Sequence, residues 1–200
     1  MKDTTIGIDV DGCLANFIQH VIETAEKMEV SGMPSHWTEW RAWQGPSQEK
    51  ALESVKKEVW DDPEWWMNIS PIDDVHFTFK PDYYITARDI SSEVTRKWIN
   101  RHGFPDAEVC TVGVEKSKVP AMKKYGVDLL VDDKPETFDE VNEVDEKTCL
   151  LLNRPVNQNV PTESGFYLKE DDRVINTDLR LMYLADVPIW VSEYGEFIQF

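Results

Sequence analysis

The chain has 200 residues, 41% of them hydrophobic, which suits one domain of ordinary size with room for a modest insertion. Its 38 acidic residues against 21 basic ones leave a formal charge of −17; this opposes long nucleic acid, where basic patches supply most of the affinity, but not a small anion held by a metal and one or two cations. The apolar runs are too short to span a bilayer, Lys2 and Asp3 stand where a secretory leader would turn apolar, and Cys13, Cys110 and Cys149 match no zinc spacing, so a cytoplasmic protein with reduced thiols is expected.

Thr4 to Asp9 reads as a first strand, and it runs into Asp9-Val10-Asp11-Gly12-Cys13-Leu14-Ala15. If the strand continues through Val10, both aspartates project from one face at the carboxyl edge of the sheet, where open α/β folds place their chemistry. Two carboxylates there can hold a hard cation, and with Mg²⁺ between them can attack and protonate a phosphate ester. Leu14, Phe17, Ile18, Val21, Ile22 and Ala25 then follow the spacing of one helical face.

Composition changes next. Six of the eight tryptophans lie between Trp37 and Trp66, at 37, 40, 43, 60, 65 and 66. Gly45-Pro46-Ser47 breaks this stretch, and Leu52, Val55 and Val59 predict a short helix after it. Residues 30–70 therefore read as a small helical cap inserted after the first strand, with 1–29 and 71–200 as the core. So small a piece needs large side chains to bury enough area, and most of its tryptophans serve that end.

Beyond Pro71 the pattern returns to alternation. Tyr83 to Thr86 is a strand, Val94, Trp98 and Ile99 mark a helix ending near Gly103, and Val109 to Val112 is a strand. Lys118 to Tyr125 is a helix with Pro120 in its first turn and Gly126 past its end. Asp128 to Asp133 is a strand ending in acids, followed by a helix over 135–144 and a strand from Thr148 to Leu152. This alternation predicts an α/β protein with a parallel sheet flanked by helices. After Asn153 the expectation is a loop over 157–165, a helix over 173–184 and a hairpin over 189–200. This acidic segment either completes the sheet or makes a homodimer contact.

Four strand or helix ends now carry polar groups in order: Asp9 and Asp11, Thr86 and Arg88, Lys118, and Asp132 with Asp133. Together DVDGCLA (9–15), TAR (86–88), Lys118 and VDD (131–133) resemble the four motifs of the haloacid dehalogenase-like phosphohydrolases, over about residues 4 to 152. Phe17, the run Trp60-(x4)-Trp65-Trp66-Met67-Asn68-Ile69-Ser70-Pro71, and Asp133-Lys134-Pro135-Glu136 are similar to the 5'(3')-deoxyribonucleotidase-like branch. Ala87 departs from that branch, which often has serine beside the threonine.

The resemblance implies a Rossmann-like fold and the following roles. Asp9 attacks phosphorus and forms an aspartyl-phosphate, and Asp11 gives a proton to the leaving oxygen and then takes one from water. Asp133 is a direct Mg²⁺ ligand beside Asp9, Asp11 meets the metal through its backbone carbonyl, and Asp132 is an outer-sphere partner or support. Thr86, Ala87, Arg88 and Lys118 surround the phosphoryl oxygens. Phe17, Trp60, Trp66 and Trp40 are the candidate base-contacting aromatics. Each position has a plainer alternative: Phe17 lies on its helix's apolar face, Thr86 is a β-former, Asp132 can cap the next helix, and Lys118 competes with Lys116. The four histidines form no ligand spacing.

The expected activity is Mg²⁺-dependent hydrolysis of a deoxyribonucleoside 5'-monophosphate. A sugar phosphate or polynucleotide end is the alternative substrate, and a non-catalytic binding module on the same fold is the alternative class.

Overall fold

The computed structural model describes residues 4–35, 45–73, 75–157, 160, 166–170, 173–177, 180–181 and 184–194. Trp37, Trp40 and Trp43 therefore lie outside the described residues.

Five strands build the centre: β1 (Ile6–Ile8), β2 (Tyr83–Thr86), β3 (Glu108–Thr111), β4 (Leu129–Asp132) and β5 (Thr148–Leu152). They pair in the order β3-β2-β1-β4-β5, all parallel. The pairs Ile8↔Tyr84 and Ile8↔Val131 put β1 between β2 and β4. β4 and β5 are buried at every residue, as strands covered on both faces must be, and this is why they read as continuous apolar runs. β6 (Phe166–Glu170) and β7 (Arg173–Thr177) make a separate antiparallel pair, and β8 (Arg180–Leu181) adds in parallel to β5.

The helices follow the strands. α1 (Phe17–Lys27) comes after β1, and then α2 (Pro46–Val59) and the short α3 (Pro63–Met67) precede β2. α4 (Ser92–Arg101), α5 (Val119–Tyr125) and α6 (Pro135–Asn142) connect the remaining parallel strands, and α7 (Val187–Tyr194) lies near the end. Local chemistry accounts for their limits. Ser91 caps α4 by accepting from Val94 N–H, Asp62 caps α3 by accepting from Glu64 N–H, and Gly126 closes α5 in the left-handed conformation.

Two expectations for the C-terminal part are corrected. Residues 173–177 are a strand rather than part of a helix, because Val174, Ile175 and Thr177 are β-branched and the segment pairs with 166–170. Residues 187–194 are helical rather than the start of a hairpin. The Ile189–Val191 run is short and apolar, and such a run does not by itself distinguish strand from helix.

The core centres on Ile8, Val10, Leu129, Leu130, Val131, Leu150 and Leu151. Trp98 of α4 and Trp65 and Trp66 of α3 join the same buried cluster. Burying an aliphatic side chain such as Ile8 or Leu150 contributes roughly 1.5–3 kcal/mol, and the larger indoles bury more area still. Each indole also satisfies its N–H: Trp98 donates to Ile69 O at 2.8 Å, Trp66 to Trp60 O at 2.8 Å and Trp65 to Thr24 Oγ1 at 2.9 Å. A strap at residues 70–72 closes the join, through Asn16 N to Ser70 O and Ile72 N to Leu14 O.

Candidate active site

The site is built from the chain just past β1, β2 and β4. Asp9 leaves β1 still anchored to its neighbour, donating its N–H to Val131 O at 2.9 Å. The chain then turns tightly, with Leu14 and Ala15 N–H both donating to Val10 O and Gly12 N–H donating to Ala15 O. Gly12 has φ +82°, and a Cβ there would overlap the Asp133 carboxylate. Only glycine tolerates that conformation cheaply and also lets the β4 acid approach the β1 loop.

Lys118, at the start of α5, is buried between two acids. Its Nζ lies 2.8 Å from Asp9 Oδ1 and 2.6 Å from Asp132 Oδ2. Lys116 is exposed, so of the two lysines Lys118 is the one that reaches Asp9. Asp132 also accepts from Lys134 N–H at 2.8 Å through its other oxygen. Both Asp132 oxygens are thus engaged, one on the lysine and one at the entry to α6. α6 itself follows Lys134 with no side-chain cap, so Asp132 supports the lysine and the approach to the helix rather than capping it.

Arg88 provides the unexpected contact. Its side chain is buried, and Nε donates to both Asp11 oxygens at 3.0 Å while Nη2 donates to Oδ1 at 2.8 Å. The guanidinium carbon lies 5.0 Å from the Trp98 ring centroid and 5.4 Å from that of Trp66, so two indole faces help hold it. The hydrogen bonds made by Arg88 orient Asp11, whereas the resemblance assigned this residue to phosphate. Nη1 is buried and makes no hydrogen bond. Thr86 is fully buried, and its Oγ1 lies 3.4 Å from Arg88 N.

Electrostatics concentrate at the acids. Burial lifts the Asp9 carboxyl from 3.8 to about 7 against the pull of Lys118, with Asp132 and Asp11 adding to the rise. Asp133 is likewise pushed well above the carboxylate range, by burial first and then by Asp132 and Asp9. For Lys118, burial acts to lower the pKa, but Asp132 and Asp9 outweigh it and the ammonium is held charged. Two buried carboxylates that resist ionisation together are what a hard cation between them would relieve. Ligand atoms of Asp9, Asp133 and Cys13 all lie within 4.8 Å of one another. The Asp9 and Asp133 oxygens fit Mg²⁺, which prefers oxygen donors. Cys13 does not: burial, then Asp133 and Asp9, keep its thiol protonated.

A cavity of about 510 Å³ opens over this cluster. Asp9, Asp11, Gly12, Ala87, Arg88 and Asp133 line it together with Phe17, Ile18, Leu52, Lys56, Trp60 and Trp66. Phe17 is half-buried, packing on Trp66 (centroids 5.7 Å apart, planes 15°), and also lines the cavity. Trp60 is half-buried too, whereas Trp66 is only 1% exposed and mostly structural. Lys56, Val114, Glu115, Lys134 and Glu136 also line the cavity and had no signal beyond lying near the motifs or on a helix of the insert. Trp40 lies outside the described residues.

No family model matches the sequence, and no curated protein matches it. Solved structures do match. An L-2-haloacid dehalogenase superposes with a TM-score of 0.52 at 14% identity, covering 95% of this chain and 99% of that one. A protein from Haemophilus somnus 129pt, described as a predicted phosphoglycolate phosphatase, superposes with a TM-score of 0.49 at 12% identity, covering 94% of this chain and 98% of that one. The shared architecture extends over nearly the whole length of the dehalogenase: this chain has the haloacid dehalogenase-like α/β fold.

Proposed function

We propose that the protein is a Mg²⁺-dependent phosphomonoesterase acting on a small nucleotide, a deoxyribonucleoside 5'-monophosphate, through an aspartyl-phosphate on Asp9. The observation that carries this reading is one cavity lined both by the acids Asp9, Asp11 and Asp133 and by Phe17, Leu52 and Trp60, with the buried Lys118 ion-paired to Asp9. A phosphate has its chemistry at the acids, and a flat, weakly polar base has a surface at the aromatic side chains.

The steps use the residues in place. Ionised Asp9 attacks phosphorus in line, the P–O bond to the sugar breaks, and Asp11 delivers a proton to the leaving oxygen. Arg88 fixes the direction in which Asp11 points. Lys118 balances charge at Asp9 and on the transferring group. Water then attacks the phosphorus of the aspartyl-phosphate, Asp11 accepts the proton, the P–O bond to Asp9 breaks, and inorganic phosphate leaves with the Asp9 carboxylate regenerated. Asp9 and Asp133 would hold Mg²⁺, which when bound neutralises phosphate charge and lets both carboxylates ionise. Residues 30–70 act as a cap that brings Trp60 against the base, opposite Phe17 of the core, and excludes water.

The test is phosphate release from a panel of deoxyribonucleotides, ribonucleotides and sugar phosphates, with Mg²⁺ and with EDTA. Mg²⁺-dependent turnover centred on deoxyribonucleotides is expected. Turnover of sugar phosphates alone would overturn the nucleotide assignment while keeping the chemistry. Nucleotide binding without turnover of any phosphomonoester would leave a binding module.

A further inference from the structure

We infer that Arg154 and Asn157, which follow β5 and lie outside all four motifs, are positioning residues that hold the Asp9–Cys13 loop and Asp133 in register. Arg154 Nε donates to Gly12 O at 2.6 Å and its Nη2 to Cys13 O at 2.7 Å, bridging 142 and 141 residues of sequence. These carbonyls immediately follow Asp11, in the turn where Gly12 adopts φ +82°. Asn157 is fully buried, and its Nδ2 donates to Asp133 O at 2.7 Å and to Leu152 O at 2.9 Å.

The two residues also fix each other. Arg154 N–H donates to Asn157 Oδ1 at 2.8 Å, and Asn157 N–H donates to Arg154 O at 3.0 Å. One short turn therefore references the loop carrying Asp9 and Asp11 and the loop carrying Asp133 to the same end of β5. Catalytic groups have to be held to within about 0.5 Å of their working geometry, and a pair of backbone carbonyls gripped by one planar guanidinium is a stiff way to do so. Neither residue is among those lining the cavity, so both act through the groups that do.

The kinetic arm of the test rests on the phosphatase reading; an exchange arm does not. In Arg154→Ala, kcat is expected to fall about 10–100-fold with KM within about threefold, since supporting contacts of this kind are worth that much. Added guanidinium ion should restore much of the rate by occupying the vacated site. By hydrogen exchange, peptides covering 9–15 and 132–134 should exchange faster while those over 92–101 stay unchanged. Arg154→Lys should remain impaired, because an ammonium does not reproduce the two-pronged donor geometry, and Asn157→Ala should loosen 132–134 most. Either of these variants is measured in the same way if Arg154→Ala does not fold. Unchanged exchange at 9–15 with unchanged kcat overturns the inference, as does faster exchange spread evenly along the chain with a loss that guanidinium does not restore. If the native protein hydrolyses no phosphomonoester, the phosphatase reading fails alone and the exchange pattern still decides this one.

Discussion

Single residues do the chemistry, and two of them can be separated by role. Asp9 is the nucleophile in the proposed reaction, so Asp9→Asn should reduce phosphate release by about 10⁴-fold or more, since an amide cannot form the aspartyl-phosphate. Labelling by trifluoroberyllate, followed by fluorine NMR, should vanish with it. Arg88 instead acts on Asp11, through three hydrogen bonds made from between two indoles. Arg88→Met keeps much of the packing volume and removes the donors. The expected result is a fall in kcat of about 10–100-fold with a smaller change in KM, read by steady-state kinetics. Three of the four motifs were legible in the sequence because each is a short run at a strand end, and Lys118 was legible from its place at a helix start ahead of the last run. The Arg88–Asp11 pair was not, since its partners lie 77 residues apart and nothing local marks the direction of the guanidinium.

At the scale of elements, the end of α2 and α3 bring aromatic side chains with different duties. Trp60 is half-buried on the cavity wall, while Trp65 is buried with its N–H on Thr24. Trp60→Ala should raise KM about tenfold, because stacking on a base is worth about 1–3 kcal/mol, and should also lower the melting temperature, because its ring packs on Phe17, Trp65 and Trp66. Trp65→Ala, at a residue that does not line the cavity, should leave KM nearly unchanged and cost about 3–5 kcal/mol of stability, measured by denaturant unfolding. The β1–α1 turn is equally particular. Gly12→Ala adds a side chain at positive φ and in the space of the Asp133 carboxylate, so it should destabilise by about 1–3 kcal/mol and abolish Mg²⁺ binding seen by calorimetry. The tryptophan cluster was visible in composition, but which indole is core and which faces the cavity depends on how α3 packs on α1 and α4. The β6–β7 pair was misread for a related reason: five residues of strand gain their identity from a partner, not from their own periodicity.

Across the whole molecule, the buried acids tie stability to pH and to cations. Asp9 has its pKa raised from 3.8 to about 7, and Asp133 is raised as well. The folded state therefore holds more protons than the unfolded one between these limits, and the metal-free protein should lose stability as pH climbs from about 4 to about 7. Mg²⁺ binding requires the ionised forms, so its stabilisation should be larger at pH 8 than at pH 5. At about 100 times the dissociation constant, Mg²⁺ should add about 2.7 kcal/mol, or roughly 5–10 °C in melting temperature by scanning calorimetry. An equal shift at both pH values would argue against Asp9 and Asp133 as the ligands.

The sequence by itself determined the alternation of strands and helices from β1 to β5, the parallel α/β class, and the order in which acids, threonine and lysine arrive at the strand ends. These follow from local periodicity and short-range turn chemistry, which neighbours in sequence settle among themselves. Only the tertiary structure decided that Lys118 bridges Asp9 and Asp132, that Arg88 grips Asp11, and that Arg154 and Asn157 brace the loops from beyond the last motif. Those contacts join residues from 14 to 142 positions apart. Their geometry exists only once the sheet has set its strand order and register, because it is the sheet that brings these distant strand ends to one edge.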